Sequence, residues 1–251
     1  MMKVPMYKKN VVLVTGASSG IGEALARELI SKDYIVIGMA RRVEKLNAIK
    51  NEMGPSFIPI SCDISDKSDI RSACQNILDQ GLCPNLFFLN AGIAGEKVIE
   101  DPEAFSVEIH ERIMAVNYFG VLAFVEFFEK PCLLNGGAHF IVTSSVNAIF
   151  APPTGSAYSA SKAAISKTFE SLSLTYFSKN LRFSSIYAGP VATKGLYGSL
   201  PFTLSAEKMA KYMCQFSELK KSRAYPSFFY FILSHLLRVL PDGFVMRLLK
   251  R

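Results

Sequence analysis

Six short apolar runs alternate with amphipathic segments along this chain of 251 residues, and that alternation limits the fold more than any single residue does. The runs at 10–15, 35–40, 57–61, 86–90, 139–144 and 182–187 are bounded by turn residues and short enough to be buried strands. Helical patterns fall near 20–32, 43–53, 66–80, 107–129 and 157–178. Strand and helix in turn predict the α/β class: a doubly wound parallel sheet with helices on both faces. Ligands of such sheets bind beyond the carboxyl ends of the strands. The glycine turn after residue 15, Asn90, Ser145 and the stretch Ala188 to Thr193 all fall at those ends. With 50% hydrophobic residues the chain can bury one large core, so a single domain is expected.

The first unit reads as strand, glycine turn, helix. Asn10 to Thr15 precede Gly16, Gly20 and Gly22, and the segment beyond turns Leu25, Ala26, Leu29 and Ile30 inward and Glu23, Arg27, Glu28 and Lys32 outward. Glycine permits positive φ and close backbone approach, so loop amides and the helix N-terminus can face a pyrophosphate. The spacing Gly-x-x-x-Gly-x-Gly differs from the Gly-x-Gly-x-x-Gly dinucleotide fingerprint, and a plain glycine-rich turn remains the alternative. The second strand ends at Arg41 and Arg42, where an acid would accept from a ribose 2′-hydroxyl and an arginine would accommodate a 2′-phosphate. Two arginines and no acid favour NADP(H), unless one of them only solvates the start of the next helix.

Tyr158 stands four residues before Lys162 and thirteen after Ser145. On a helix, the spacing of four puts phenol and ammonium on one face. A phenol titrates near pH 10, and a neighbouring cation lowers that by about 1–3 units. Reaching neutrality takes about 3 units, or roughly 4 kcal/mol, so a second cation such as an oxidised nicotinamide ring would help.

Together these residues resemble the short-chain dehydrogenase/reductase family over roughly residues 8 to 195. The matching motifs are Thr15-Gly16-x-x-x-Gly20-x-Gly22, Asn90-Ala91-Gly92, Asn117, Ser145 and Tyr158-x-x-x-Lys162. The resemblance implies a Rossmann-like fold in which Tyr158 is the general acid in carbonyl reduction and the base in alcohol oxidation. Lys162 would bind the nicotinamide ribose and depress the tyrosine pKa, Ser145 rather than Ser144 would hold the substrate oxygen, and Asn117 would hold a water in the proton path. The cofactor-binding set it implies is Gly16, Ser18, Ser19, Gly20, Ile21 and Gly22 in the turn, Arg41 and Arg42, then Asp63 and Ile64 after the third strand. Asn90, Ala91 and Gly92, Tyr158 and Lys162, and Val191 and Thr193 complete it. One departure is the loop after the sixth strand, Ala188-Gly189-Pro190-Val191-Ala192-Thr193, where the family usually reads Pro-Gly-x-x-x-Thr; this puts its rigidity in doubt. Dimers or tetramers are the family's usual assemblies.

Charge divides the chain at 207. Through that residue, 19 basic side chains meet 19 acidic ones, so the net charge of +7 comes from 208–251, with nine basic against two acidic. Nucleic acid is therefore not an expected partner. The division separates a dinucleotide-binding and catalytic part, 1–207, from a basic, apolar, amphipathic helical extension of the same domain, 208–251. Ser227 to Leu240 is too short to span a bilayer, and Phe244 to Leu249 continue its apolar character after Pro241-Asp242-Gly243. Contact with a membrane surface, self-association and packing on the body all remain open. A lid is expected over Lys194 to Leu204, whose Leu196, Tyr197, Leu200 and Phe202 suit an apolar ketone or long-chain carbonyl.

Five cysteines without Cys-x-x-Cys read as reduced packing residues of a cytoplasmic protein, and His110, His139 and His235 are too scattered for a metal site. No signal peptide is read at the N-terminus. Two other functions fit the motifs: a non-catalytic dinucleotide-binding scaffold or sensor docking through its tail, and an NAD-dependent alcohol dehydrogenase.

Overall fold

The computed structural model describes residues 11–94, 105–153, 155–193 and 200–249. In chain order its strands are β1 (Val11–Thr15), β2 (Ile35–Ala40), β3 (Phe57–Ser61), β4 (Leu86–Leu89), β5 (Ala138–Ser145), β6 (Leu181–Ala188), β7 (Val191–Ala192), β8 (Leu204–Ser205) and β9 (Arg223–Ala224). The helices are α1 (Gly20–Ile30), α2 (Val43–Met53), α3 (Lys67–Asp79), α4 (Val107–Met114), α5 (Val121–Leu134), α6 (Ser156–Thr175), α7 (Ala206–Glu218), α8 (Phe228–Val239) and α9 (Asp242–Leu249). Seven strands pair in parallel in the order β3-β2-β1-β4-β5-β6-β9, so the winding reverses between β1 and β4. That reversal opens a crevice at the carboxyl edge of the sheet.

Alternation along each central strand supplies both cores. Phe87, Phe140 and Phe183 lie on one face, where Phe140 stacks on Phe87 at 4.3 Å and on Phe183 at 5.2 Å between ring centres. They meet Phe128 of α5 and Phe169 of α6. The opposite face carries Val12, Val14, Phe88 and Ile141, covered by Leu25, Ala26 and Leu29 of α1 and by Met209, Ala210 and Met213 of α7. Each fully buried side chain of this size contributes roughly 1.5–3 kcal/mol. Helix α7, which charge groups with the extension, is thus packed into the same core as α1.

The sequence expects an unbroken helix near 107–129. The structure instead places a π-helical stretch, Ala115–Gly120, between α4 and α5, with Asn117 inside it. Gly120 lies so close to the Ile64 carbonyl that a Cβ could not fit, so the wider turn lets this segment lie against the β3–α3 loop. Strand β9 has only two residues, too few for periodicity to reveal it.

Candidate active site

The carboxyl ends of β1, β4 and β5 are fastened together before any ligand is considered. Thr15 Oγ1 accepts from the Ala91 amide at 3.0 Å, Asn90 Nδ2 donates to the Thr15 carbonyl at 3.3 Å, and Thr143 Oγ1 donates to Asn90 Oδ1 at 3.2 Å. Asn90 therefore bridges the two strands flanking β4 and sets the floor of the crevice.

On the β1 side, the turn from Gly16 to Gly22 enters α1. Gly20 has φ +58° and faces Thr193, whose Cγ2 would lie 3.1 Å from an added Cβ. At Gly22 any Cβ would collide with the Gly16 carbonyl, which keeps the helix tight against the turn. Ile21 packs against the core beneath. Ser19 occupies the N-cap of α1, yet its side chain makes no capping bond. Arg42 takes that hydroxyl instead, donating through Nη2 to Ser19 Oγ at 3.0 Å and to Ser18 Oγ at 2.9 Å. First-turn amides of α1 are thereby left for an anion, with a guanidinium alongside. Arg41 behaves differently, pointing outward 3.9 Å from Asp63. Asp63 accepts from the Ser65 amide at 2.9 Å, and these hydrogen bonds, with Arg41 nearby, hold its carboxyl below the usual range.

On the other side, β5 and α6 deliver the remaining candidates. Lys162 is 4% exposed and donates to the Thr143 carbonyl at 2.7 Å. Its ammonium has three donors, so two remain to be satisfied within the crevice. Gly92 keeps the space open, since an added Cβ would sit 3.2 Å from both Lys162 Nζ and Asn117 Oδ1. Asn117 is spent on scaffolding: its amide exchanges two 2.9 Å hydrogen bonds with the Ile93 backbone and donates to Ser161 Oγ at 3.0 Å. The side chain anchors the segment after β4, and its two amide hydrogens are both used.

Ser144 and Ser145 separate cleanly. Ser144 Oγ is locked to Ser166 Oγ at 2.6 Å and to the Lys162 carbonyl at 3.3 Å, joining β5 to α6. Ser145 Oγ accepts from the Asn147 amide at 3.1 Å and hydrogen-bonds the Tyr158 phenol. Lys162 Nζ lies 5.7 Å from the centre of the Tyr158 ring. The sequence expects a phenol lowered by this neighbour, whereas burial raises the Tyr158 pKa, opposed only by the Ser145 hydrogen bond. Burial likewise drives Lys162 down, to about 8. Desolvation outweighs the pairing because the ammonium is buried and bound to the Thr143 carbonyl beside a part-buried phenol.

The loop after β6 is tied down by backbone pairing. Val191 and Ala192 of β7 pair in parallel with Leu204 and Ser205 of β8, and the Leu204 amide donates to the Pro190 carbonyl at 3.1 Å. Val191 is buried beside Thr193 at the crevice. Of the expected lid, residues 194–199 lie outside the described residues, while Leu200 and Phe202 are exposed. The sequence reading misses Thr143, Ser161 and Ser166, polar residues that hold the candidates in place. A signal exists for Thr143: Thr143-Ser144-Ser145 ends a strand too apolar to carry three hydroxyls without partners.

With this geometry, comparison with known proteins is decisive. The family model described as short chain dehydrogenase matches residues 10–198. The chain belongs to the short-chain dehydrogenase family. A dehydrogenase/reductase SDR family protein 7-like of Drosophila melanogaster is 31% identical over 191 residues, covering 73% of this chain and 58% of that protein. The chain thus spans about three fifths of that relative's length. A short-chain dehydrogenase from Burkholderia cenocepacia, solved in complex with NADP, superposes with a TM-score of 0.81 at 25% identity, covering 99% of each chain. The fold also matches a 3-ketoacyl-(acyl-carrier-protein) reductase from Brucella melitensis complexed with NADH, with a TM-score of 0.79 and 21% identity over 86% of this chain and 96% of that one.

Proposed function

We propose that this protein is an NADP(H)-dependent oxidoreductase that reduces an apolar ketone or long-chain carbonyl to the secondary alcohol. The observation that carries the reading is the convergence of Ser145, Tyr158 and Lys162 at the crevice beside the open first turn of α1. When bound, the nicotinamide supplies the hydride. The residues present fit a dinucleotide: amides of α1 for the pyrophosphate, the two spare Lys162 donors for the ribose diol, and Asp63 at the end of β3 for the adenine side. Arg42, fixed by Ser18 and Ser19, supports a 2′-phosphate and hence NADP(H) over NAD(H).

In this reading Ser145 donates to the substrate oxygen and Tyr158 passes it a proton, while Lys162 orients the ribose and helps stabilise the resulting phenolate. The raised phenol pKa suits this direction, because a neutral tyrosine is already an acid with a proton to give. Exposed Leu200 and Phe202 beside the loop after β6 support an apolar substrate. The test is NADPH oxidation against ketones graded from small to long-chain and polycyclic, run alongside Tyr158→Phe. That variant should bind NADPH normally and lose nearly all turnover, and unchanged turnover would refute the assignment.

A further inference from the structure

Helix α8 is apolar nearly all round, and one apolar face is turned outward. Phe228, Phe229, Ile232, Leu236 and Val239 form one stripe at helical spacing, and all are exposed, Phe228 at 75% and Val239 at 77%. The opposite face turns Ser234 into the protein at 5% exposure, with Tyr230 and Leu237 partly buried. The inward face, with Phe231 and Leu233 also partly buried, accounts for packing on the body but leaves the outer stripe uncovered among the described residues. Phe244, Met246 and Leu248 of α9 are exposed as well, and Phe202, at 66%, lies 4.6 Å from the Phe229 ring. Contiguous apolar surface on this scale marks a contact site.

Charge identifies the occupant. The extension carries nine basic residues against two acidic ones, and Arg238 of α8 and Arg247 of α9 are exposed, as are Lys220 and Lys221 before β9. On the flank of α8, a cleft of about 380 Å³ is lined by Lys167, Arg223, Arg238 and His235 against one acid, Glu170. Glu170 is shared by Lys167 at 3.0 Å and Arg223 at 2.7 Å, and Arg238 has no acidic partner among the described residues. A second copy of this chain, meeting the face symmetrically, would press one basic rim against another. An anionic bilayer has the complementary sign. Twelve helical residues reach about 18 Å, too short to cross a hydrocarbon core of about 30 Å, and among the described residues no helix is long and apolar enough to span a membrane.

We propose that α8, α9 and the neighbouring Phe202 seat this protein in the plane of an anionic lipid surface, with anionic headgroups over the basic cleft. The same helix walls the candidate active site. Tyr230 packs on Gly189, where an added Cβ would lie 2.9 Å from its ring, and its hydroxyl donates to the Pro201 carbonyl at 2.7 Å. Residues 146–148, just past Ser145, also pack against α8. Resting on the carbonyl-reductase reading, this placement lets a substrate dissolved in lipid reach the crevice along α8 without passing through bulk water.

The experiment is flotation of the full chain with vesicles of phosphatidylcholine alone or containing about one third phosphatidylserine, since anionic lipid is the source the charge predicts. The chain should float with the anionic vesicles and come off as salt rises. Ile232→Glu/Leu236→Glu, placed on the exposed stripe, should lose at least tenfold in vesicle binding while keeping NADPH affinity and turnover of a water-soluble ketone. Equal flotation with both vesicle types, or no loss in the double variant, overturns the proposal. It also fails if those substitutions instead split a concentration-dependent dimer in vesicle-free buffer. Flotation without turnover of any carbonyl would leave the docking intact and sink the proposed function, so the two failures are distinguishable.

Discussion

Acidification should unfold this protein through His139, a buried residue of β5 far from the crevice. Its ring lies between strands: Arg182 Nη2 donates to Nδ1 at 3.0 Å, and Nε2 meets Ser184 Oγ at 2.7 Å. Nδ1 also lies 3.3 Å from the Ser217 carbonyl, but Arg182 can only donate to it and Ser184 spends its one hydroxyl proton on the Lys221 carbonyl, so the proton of the neutral ring sits on Nε2, which donates to Ser184. Ser184 in turn donates to the Lys221 carbonyl at 2.8 Å, and the chain of bonds ties β5 and β6 to the segment before β9. A second proton on this ring would be buried and would face the Arg182 cation. Burial first, and Arg182 second, push the imidazole pKa from 6.5 down to about 3.

The folded protein therefore keeps His139 neutral where the unfolded chain would protonate it. The contribution is fully present above pH 6.5, declines below it and is gone once the pH falls through about 3. A shift of this size corresponds to about 5 kcal/mol at the acid limit and about 2 kcal/mol at pH 5. Against typical stabilities of about 5–15 kcal/mol that is a large share. Urea unfolding followed by circular dichroism at pH 7 and pH 5, for wild type and His139→Gln, isolates it. Glutamine does not titrate, so the variant starts less stable at pH 7 but should lose about 2 kcal/mol less between the two pH values. An equal loss in both proteins would refute the argument.

Other expectations concern the crevice. Arg42→Ala should weaken NADPH binding by roughly tenfold or more while leaving NADH nearly unchanged, since charged hydrogen bonds contribute about 1.5–3 kcal/mol each; titration with both cofactors checks it. Ser145→Ala should cut kcat about a hundredfold or more, as loss of an oxyanion donor does, whereas Ser144→Ala should keep turnover and cost about 1 kcal/mol of stability in urea. Gly22→Ala forces a Cβ against the Gly16 carbonyl and should cost about 1–3 kcal/mol as overpacking, read as a lower Tm together with weaker cofactor binding.

What the sequence discloses follows from how local each signal is. Strands β2 and β3 and helix α2 begin and end where the pattern places them, because turn residues close each run. The glycine turn and the Tyr158/Lys162 pair are legible for the same reason: a few neighbouring residues carry the whole device. Contacts distant in the chain hide the rest. That Asn117 spends its amide on Ile93 and Ser161 depends on a π-helical stretch, and nothing within a turn of Asn117 announces one. The direction of the Tyr158 shift is illegible too, since spacing reports that a lysine is near but not how far the fold desolvates either group. Desolvation is a property of the assembled crevice. It holds Tyr158 as a neutral acid, and Lys162 spends one donor on Thr143, so a docked ribose would satisfy the others at the same time as it brings hydride within reach. Binding and proton transfer would then be coupled through one ammonium. Lys162→Met should consequently weaken NADPH binding and turnover together, where Tyr158→Phe affects turnover alone.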